Sequence, residues 1–136
     1  MAIRVLSAES LEIRGPDDIV LVRQAVRKQS VVLGFGLVDQ TKLVTASSEL
    51  ARNTLNYGGG GTVHLESVEN GSRSGIRVTF EDKGPGIPDL ELALTDGFTT
   101  GTGMGLGLGG AKRLSNEFDI WSKPGEGTRV SILRWK

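Results

Sequence analysis

Glu81-Asp82-Lys83-Gly84-Pro85-Gly86-Ile87-Pro88 is the stretch whose reading decides the fold. Ahead of it, Gly75 to Glu81 alternates as a strand does, and the strand ends in a carboxylate before turning sharply through two glycines. A carboxylate at that position can accept a hydrogen bond from a donor such as the exocyclic amine of adenine, where guanine presents a carbonyl. Gly84 and Gly86 leave the backbone bare enough for a flat ring to approach. The alternative is a plain turn, since Asp, Gly and Pro are the commonest turn residues. The choice depends on what flanks the stretch.

On its N-terminal side, a helix is predicted from about Val38 to Tyr57, with Leu43, Ala46, Leu50 and Tyr57 on one face and Gly58 placed to end it. Glu49 and Asn53 lie four apart on this helix, one turn from each other on the same side. A glutamate there can take a proton from an attacking hydroxyl, and the asparagine oxygen is a hard neutral ligand suited to a magnesium ion that also holds phosphates. Read alone, such a pair is in most cases only a solvated helix face.

On the C-terminal side, Gly101-Thr-Gly-Met-Gly-Leu-Gly-Leu-Gly-Gly110 runs straight into Ala111-Lys-Arg-Leu-Ser115. Bare N–H groups in front of a helix make a cradle for phosphates. The Walker A loop is excluded, because Ala111 stands where its lysine is required. A dinucleotide-binding turn lacks its context, since Leu90 to Thr102 reads as no buried strand. The H-R-D and D-F-G signatures of eukaryotic-type protein kinases are absent. Glycine accounts for 20 of 136 residues, nine of them between Gly84 and Gly110 and four consecutive at Gly58 to Gly61, so backbone freedom is concentrated at two places.

The remaining elements follow from periodicity. Ile3 to Ile13 reads as a strand pair or one long strand. A helix follows from Pro16 to the basic pair Arg27-Lys28, and Val31 to Gly36 is an apolar connector. Thr62 to Val68 pairs with Gly75 to Glu81 around Asn70-Gly71, and Phe118 to Ser122 pairs with Gly127 to Arg134 around Lys123 to Glu126. A short helix begins near Gly105 and continues from Ala111 to Asn116. Residues 82 to 103 form a glycine- and proline-punctuated loop long enough to be a functional lid. The order βααββ, loop, αββ predicts an α+β fold with helices on one face of a mixed sheet.

At 136 residues the chain is one domain long, and residues 1–136 are taken as a single unit. Its 16 basic and 16 acidic residues cancel, leaving none of the cationic footprint that nucleic-acid binding needs. The lack of cysteine excludes disulfides and thiolate metal sites, and one histidine argues against zinc or iron clusters. No apolar run approaches a membrane span, so a cytoplasmic setting is expected. His64 is expected on the polar face of its strand, and Trp121 and Trp135 in packing or edge positions.

Taken in order, the motifs resemble those of the GHKL ATPases. Glu49 to Asn53 matches the N box, Asp82-x-Gly84-x-Gly86 with Ile87 the G1 box, and Gly103-Met104-Gly105-Leu106-Gly107 the G2 box. Gly125-x-Gly127-Thr128 is similar to the last motif, whose threonine in that family supports the adenine-binding aspartate. Ser48 to Asn53, Asp96-Gly-Phe98, Lys112-Arg-Leu114, Glu117-Phe118 and Trp135-Lys136 bring the chain nearest to the switch-protein serine kinases of bacterial stress-response modules (the RsbT type), and next to anti-sigma-factor kinases.

That resemblance implies a two-layer α/β sandwich, the Bergerat fold, with a glycine-rich lid closing over ATP and Mg2+. It implies Glu49 as catalytic base and Asn53 as the metal residue. Asn53, Asp82, Gly84, Gly86, Ile87, Gly103, Met104, Gly105, Leu106, Gly107 and Thr128 would hold the nucleotide. The implied substrate is a serine of a STAS-domain antagonist, with a PP2C-type phosphatase or a sigma factor as a further partner. One departure stands out: Thr100-Gly101-Thr102 lacks the basic residue such lids carry near the γ-phosphate, leaving Lys83, Lys112 or Arg113 as substitutes. The rival functions are an anti-sigma factor that chiefly binds, and a nucleotide-dependent binding module with weak catalysis.

Overall fold

A computed structural model describes residues 3–87 and 108–136. The chain runs β1 (Arg4–Ile13), α1 (Pro16–Val32), α2 (Leu37–Asn56), β2 (Gly61–Glu69), β3 (Ser74–Asp82), α3 (Leu108–Arg113), β4 (Glu117–Lys123) and β5 (Gly127–Trp135). Over the described residues this is the predicted order of elements, with Ile3 to Ile13 a single strand, while most of the loop expected over residues 82–103 lies outside them.

The five strands form one sheet in the order β1-β2-β3-β5-β4. All four pairings are antiparallel, which corrects the expected mixed sheet. Tight turns join β2 to β3 and β4 to β5, and such connections impose antiparallel pairing. α1 and α2 run out and back, so β2 starts where β1 stopped, with Ile13 opposite Gly61. β5 then inserts between β3 and β4, which run the same way but never touch.

One face of the sheet is covered by the helices. Alternation puts Val63 and Leu65 of β2, Ile76, Val78 and Phe80 of β3, and Val130 and Ile132 of β5 on the covered side, all buried. They meet Val22 and Val26 of α1 and Leu43, Ala46 and Leu50 of α2, at the helical spacing that makes one apolar stripe. Burying each of the larger aliphatic side chains stabilises the fold by about 1.5–3 kcal/mol relative to leaving it in water. Among the described residues no helix is long and apolar enough to cross a membrane.

Local chemistry sets the helix ends. Pro16 opens α1, and Asp18 Oδ2 accepts the N–H groups of Arg14 at 2.8 Å and Gly15 at 3.1 Å. α1 outlasts the basic pair where it was predicted to stop. Ser30 Oγ donates to the carbonyl of Val26 at 2.6 Å, keeping a polar residue in the helix interior, and the stop comes at Gly34, whose φ of 84° few other residues tolerate. Tyr57 and Gly58 N–H groups both reach the Asn53 carbonyl, closing α2.

Ser47 is the weak point of this core. It is fully buried on α2, and its hydroxyl has no hydrogen-bond partner among the described residues. An unpaired buried hydroxyl costs about 1–3 kcal/mol, and alanine is also the better helix former. Ser47→Ala is therefore expected to stabilise the protein by about 1 kcal/mol and raise Tm by about 4 °C. Differential scanning calorimetry checks this, and an unchanged or lower Tm would contradict the assignment of Ser47 as an uncompensated polar group.

Candidate nucleotide site

A narrow recess opens between the second half of α2 and the ends of β3 and β5. Leu50, Tyr57, Phe80, Ile87, Leu108 and Val130 give it apolar walls. Asn53, Thr54, Asp82 and Thr128 supply its polar groups. Mostly apolar walls with a few converging polar atoms are the usual makeup of a small-molecule site. The recess gathers Asn53, Asp82, Ile87 and Thr128 from three separate motifs, residues that sequence alone could only propose together.

Asp82 is the half-buried last residue of β3, opposite Thr128 of β5. Its Oδ1 accepts the Gly84 N–H at 2.9 Å. Burial pushes its carboxyl above the ordinary value of 3.8, against the Gly84 and Thr128 N–H groups, which pull it down. These two donors leave lone-pair capacity on a carboxylate that can accept about four bonds.

Glycines from three segments make room for it. A Cβ on Gly58 would lie 2.3 Å from Asp82 Cγ, one on Gly84 2.7 Å from Gly58 Cα, and one on Gly127 2.2 Å from the Asp82 carbonyl oxygen. Gly86 has a φ of 77°, and a side chain there would strike the Lys123 carbonyl. Gly84 and Gly86, expected to admit a flat ring, are thus already required by the packing of the protein's own backbone.

Ser122 was not singled out from the sequence. Its Oγ accepts the Ile87 N–H at 2.7 Å, lies 2.8 Å from Thr128 Oγ1 and donates to the Gly127 carbonyl at 3.1 Å. It thereby ties the turn after β3 to β5. The only sequence signal was the turn from Lys123 to Glu126, which sets Ser122 opposite Thr128.

Glu49 lies one turn before Asn53 on α2 and is absent from the lining of the recess. Its Oε1 accepts from Arg52 Nη1 at 2.9 Å, which gives Arg52 a partner on its own helix. Lys83 lines a neighbouring hollow with Gly60, Gly61, Thr62, Glu81 and Asp82, while Lys112 and Arg113 lie exposed at the end of α3. Gly103, Met104, Gly105, Leu106 and Gly107 lie outside the described residues, as do Asp96 to Phe98 and Thr100 to Thr102. His64 sits on the uncovered sheet face 2.9 Å from Ser10 Oγ, away from the recess. Trp121 is exposed and Trp135 buried, as packing and edge positions require.

Residues 38–136 match the family described as histidine kinase-, DNA gyrase B- and HSP90-like ATPases. The chain is 47% identical over 118 residues to the serine/threonine-protein kinase RsbT of Bacillus subtilis, covering 87% of this chain and 89% of that protein. It is 29% identical to an anti-sigma F factor of Anoxybacillus flavithermus, covering 72% and 70% respectively. A crystal structure of the RsbU and RsbW domains of Rv1364c from Mycobacterium tuberculosis superposes with a TM-score of 0.63 at 19% identity, covering 94% of this chain and 33% of that one, a likeness of fold.

Two outcomes follow from the packing around Asp82. Well below pH 3.8 the carboxyl is protonated folded and unfolded alike, so no charge is buried. As pH rises through its raised folded value the buried charge costs stability, and that cost persists at neutral pH. Asp82→Asn should accordingly be the more stable protein at neutral pH in urea titrations, with the gap closing as pH falls below 3.8. Equal or lower stability at pH 7 would contradict the desolvation reading.

Gly58→Ala reads the contact itself, because Gly58 does not have a positive φ and the methyl group is the only new strain. Displacing Asp82 is expected to weaken binding of a fluorescent adenine nucleotide at least about tenfold, or 1.4 kcal/mol. An unchanged Kd would remove Gly58 from the site.

Proposed function

The chain belongs to the histidine kinase-, DNA gyrase B- and HSP90-like ATPase family, on the branch of the serine/threonine-protein kinase RsbT, and from that premise we propose that it transfers the γ-phosphate of ATP to a serine of a STAS-domain antagonist in a partner-switching module. The observation that supports this most is the convergence of Asn53, Asp82, Ile87 and Thr128 on one recess. Its apolar walls suit a purine ring, and the carboxylate at the end of β3 suits an exocyclic amine. Ile87 and Leu108 would flank the base, and Thr128 would hold Asp82 in place through the sheet.

The donor set also fits a magnesium ion, because Asn53 brings a neutral hard oxygen to the lining of the recess. Bound there, the ion would offset the phosphate charge. Glu49, one turn away, would take the proton of the incoming serine hydroxyl as its oxygen bonds to the γ-phosphorus and ADP leaves. Arg52 holds that carboxylate in position on the helix. Positioning is most of what phosphoryl transfer asks of a protein, and α2 carries both side chains on one rigid element.

Similarity to an anti-sigma F factor favours a second reading, in which the protein chiefly holds a sigma factor. Pull-downs with purified STAS protein, PP2C-type phosphatase and sigma factor separate the two, because a stable sigma complex would replace the first reading. The chemistry is tested by Glu49→Gln. It should bind Mg-ATP as the wild type does, while transfer of label from γ-labelled ATP to the STAS protein falls by about 10²–10⁴-fold. Wild-type transfer rates in that variant would remove Glu49 as the base, and no transfer by the wild-type protein would overturn the kinase reading.

A further inference from the structure

Four aliphatic side chains crowd the tip of the α1–α2 hairpin. Val31 is 57% exposed, Val32 71%, Leu37 71% and Val38 66%. They flank the turn at residues 33–36, which is closed by hydrogen bonds from Gly34 to the Val31 carbonyl and from Phe35 to that of Ser30. Single exposed aliphatics need no explanation, but four on adjacent turns form a patch of the kind that marks an interaction surface. Nothing in the packing calls for them. The apolar contact this turn does need comes from Phe35, which is buried in the main core.

The rim of the patch is cationic. From Ile19 to Val38 the sequence holds Arg23, Arg27 and Lys28 and no carboxylate, and all three are exposed. Lys42 is exposed on α2, and Lys136 Nζ would lie 3.2 Å from a Cβ placed on Gly34. Asp39, the acid nearest the tip in sequence, is bound by Arg134 Nη2 at 2.7 Å. In a chain whose charges cancel overall, this end is distinctly positive.

We propose that the α1–α2 tip is a docking surface for a partner protein that presents an apolar helix face bordered by carboxylates. Charge decides among the occupants. A two-fold pairing of this surface with itself would set Arg27 and Lys28 of one copy near those of the other, and like charges oppose that. A bilayer seats a helix along its length with large apolar side chains inserted. Here the exposed apolar residues of α1 form no continuous strip, because Arg23, Gln24, Arg27 and Lys28 separate Val20 and Leu21 from Val31 and Val32, and the aromatic residue of the turn faces inward. An acid-bordered apolar protein surface satisfies both the aliphatic patch and its rim.

Position separates this surface from the chemistry. Val38 and Asn53 are 15 residues apart on α2, about 22 Å along the helix at 1.5 Å per residue. A partner docked at the tip therefore leaves the recess accessible, and the surface goes beyond the kinase reading without depending on it.

The test uses two fluorescein-labelled helical peptides of about 18 residues, five turns, with the same leucine face bordered by glutamates in one and lysines in the other. Fluorescence anisotropy should show the glutamate peptide binding the wild-type protein, more weakly as salt rises, and at least about tenfold tighter than the lysine peptide. Val32→Asp with Leu37→Asp should lose that binding while keeping the wild-type melting temperature and ATP affinity. Arg27→Glu with Lys28→Glu should reverse the preference between the peptides. Equal binding of both peptides, or binding untouched by either double variant, overturns the proposal. So does concentration-dependent dimerisation in sedimentation that Val32→Asp with Leu37→Asp abolishes, or flotation of the wild-type protein with phosphatidylserine vesicles. Loss of ATP binding by the wild-type protein would count against the nucleotide site alone.

Discussion

The Asp82 carboxylate sits where the end of β3, the turn after α2 and the start of β5 converge, and the shape of the candidate site depends on keeping it there. The space is so confined that the neighbouring chain can carry no side chains. Gly58, Gly84 and Gly127 come from segments far apart in sequence, yet each would strike Asp82 or one of the others if it bore a Cβ. The glycines that look like loop punctuation are therefore packing residues. Their bareness lets a charged side chain end a buried strand while two backbone N–H groups reach it.

Reading elements from the sequence succeeded where one period dominated. Val22 and Val26, Leu43, Ala46 and Leu50, and the alternation of β3 gave the helices, the strands and the side each buries. It failed where the outcome depended on a partner element. The end of α1 was misplaced because Ser30 compensates its own polarity within the helix and Gly34, beyond the basic pair, provides the stop. The mixed sheet was wrong because strand order is a tertiary fact: nothing local says that β5 enters between β3 and β4.

The site divides in the same way. Asn53, Asp82 and Thr128 were legible as residue types in an ordered set of motifs, and the recess does gather them. Ser122 and Gly58 were not, because each acts through a contact across the fold. Glu49 shows the limit of helical spacing. Four residues place it on the same side of α2 as Asn53, but a turn further along the axis, where its nearest partner is Arg52. A shared helix face is a direction, and membership in a cavity also requires depth.

α2 joins these observations mechanically. Its buried stripe anchors it to the sheet, and its N-terminal turn is tied through Asp39 to Arg134 of β5, which also donates to the Leu114 carbonyl just beyond α3 at 2.7 Å. The helix that carries Glu49 and Asn53 is thus held along its buried stripe and at its N-terminal turn, and the element following the glycine-rich segment is fixed to the same arginine. Linkage then gives the Asp82 carboxylate its final role. A group whose pKa is raised by burial is one whose ionised form lacks stabilisation, and an amine donor from a bound base would supply it. Nucleotide binding would pull that pKa down, so by reciprocity protonation of Asp82 must weaken nucleotide binding. The desolvation that costs the free protein stability is the same quantity that would favour a ligand with a hydrogen to give.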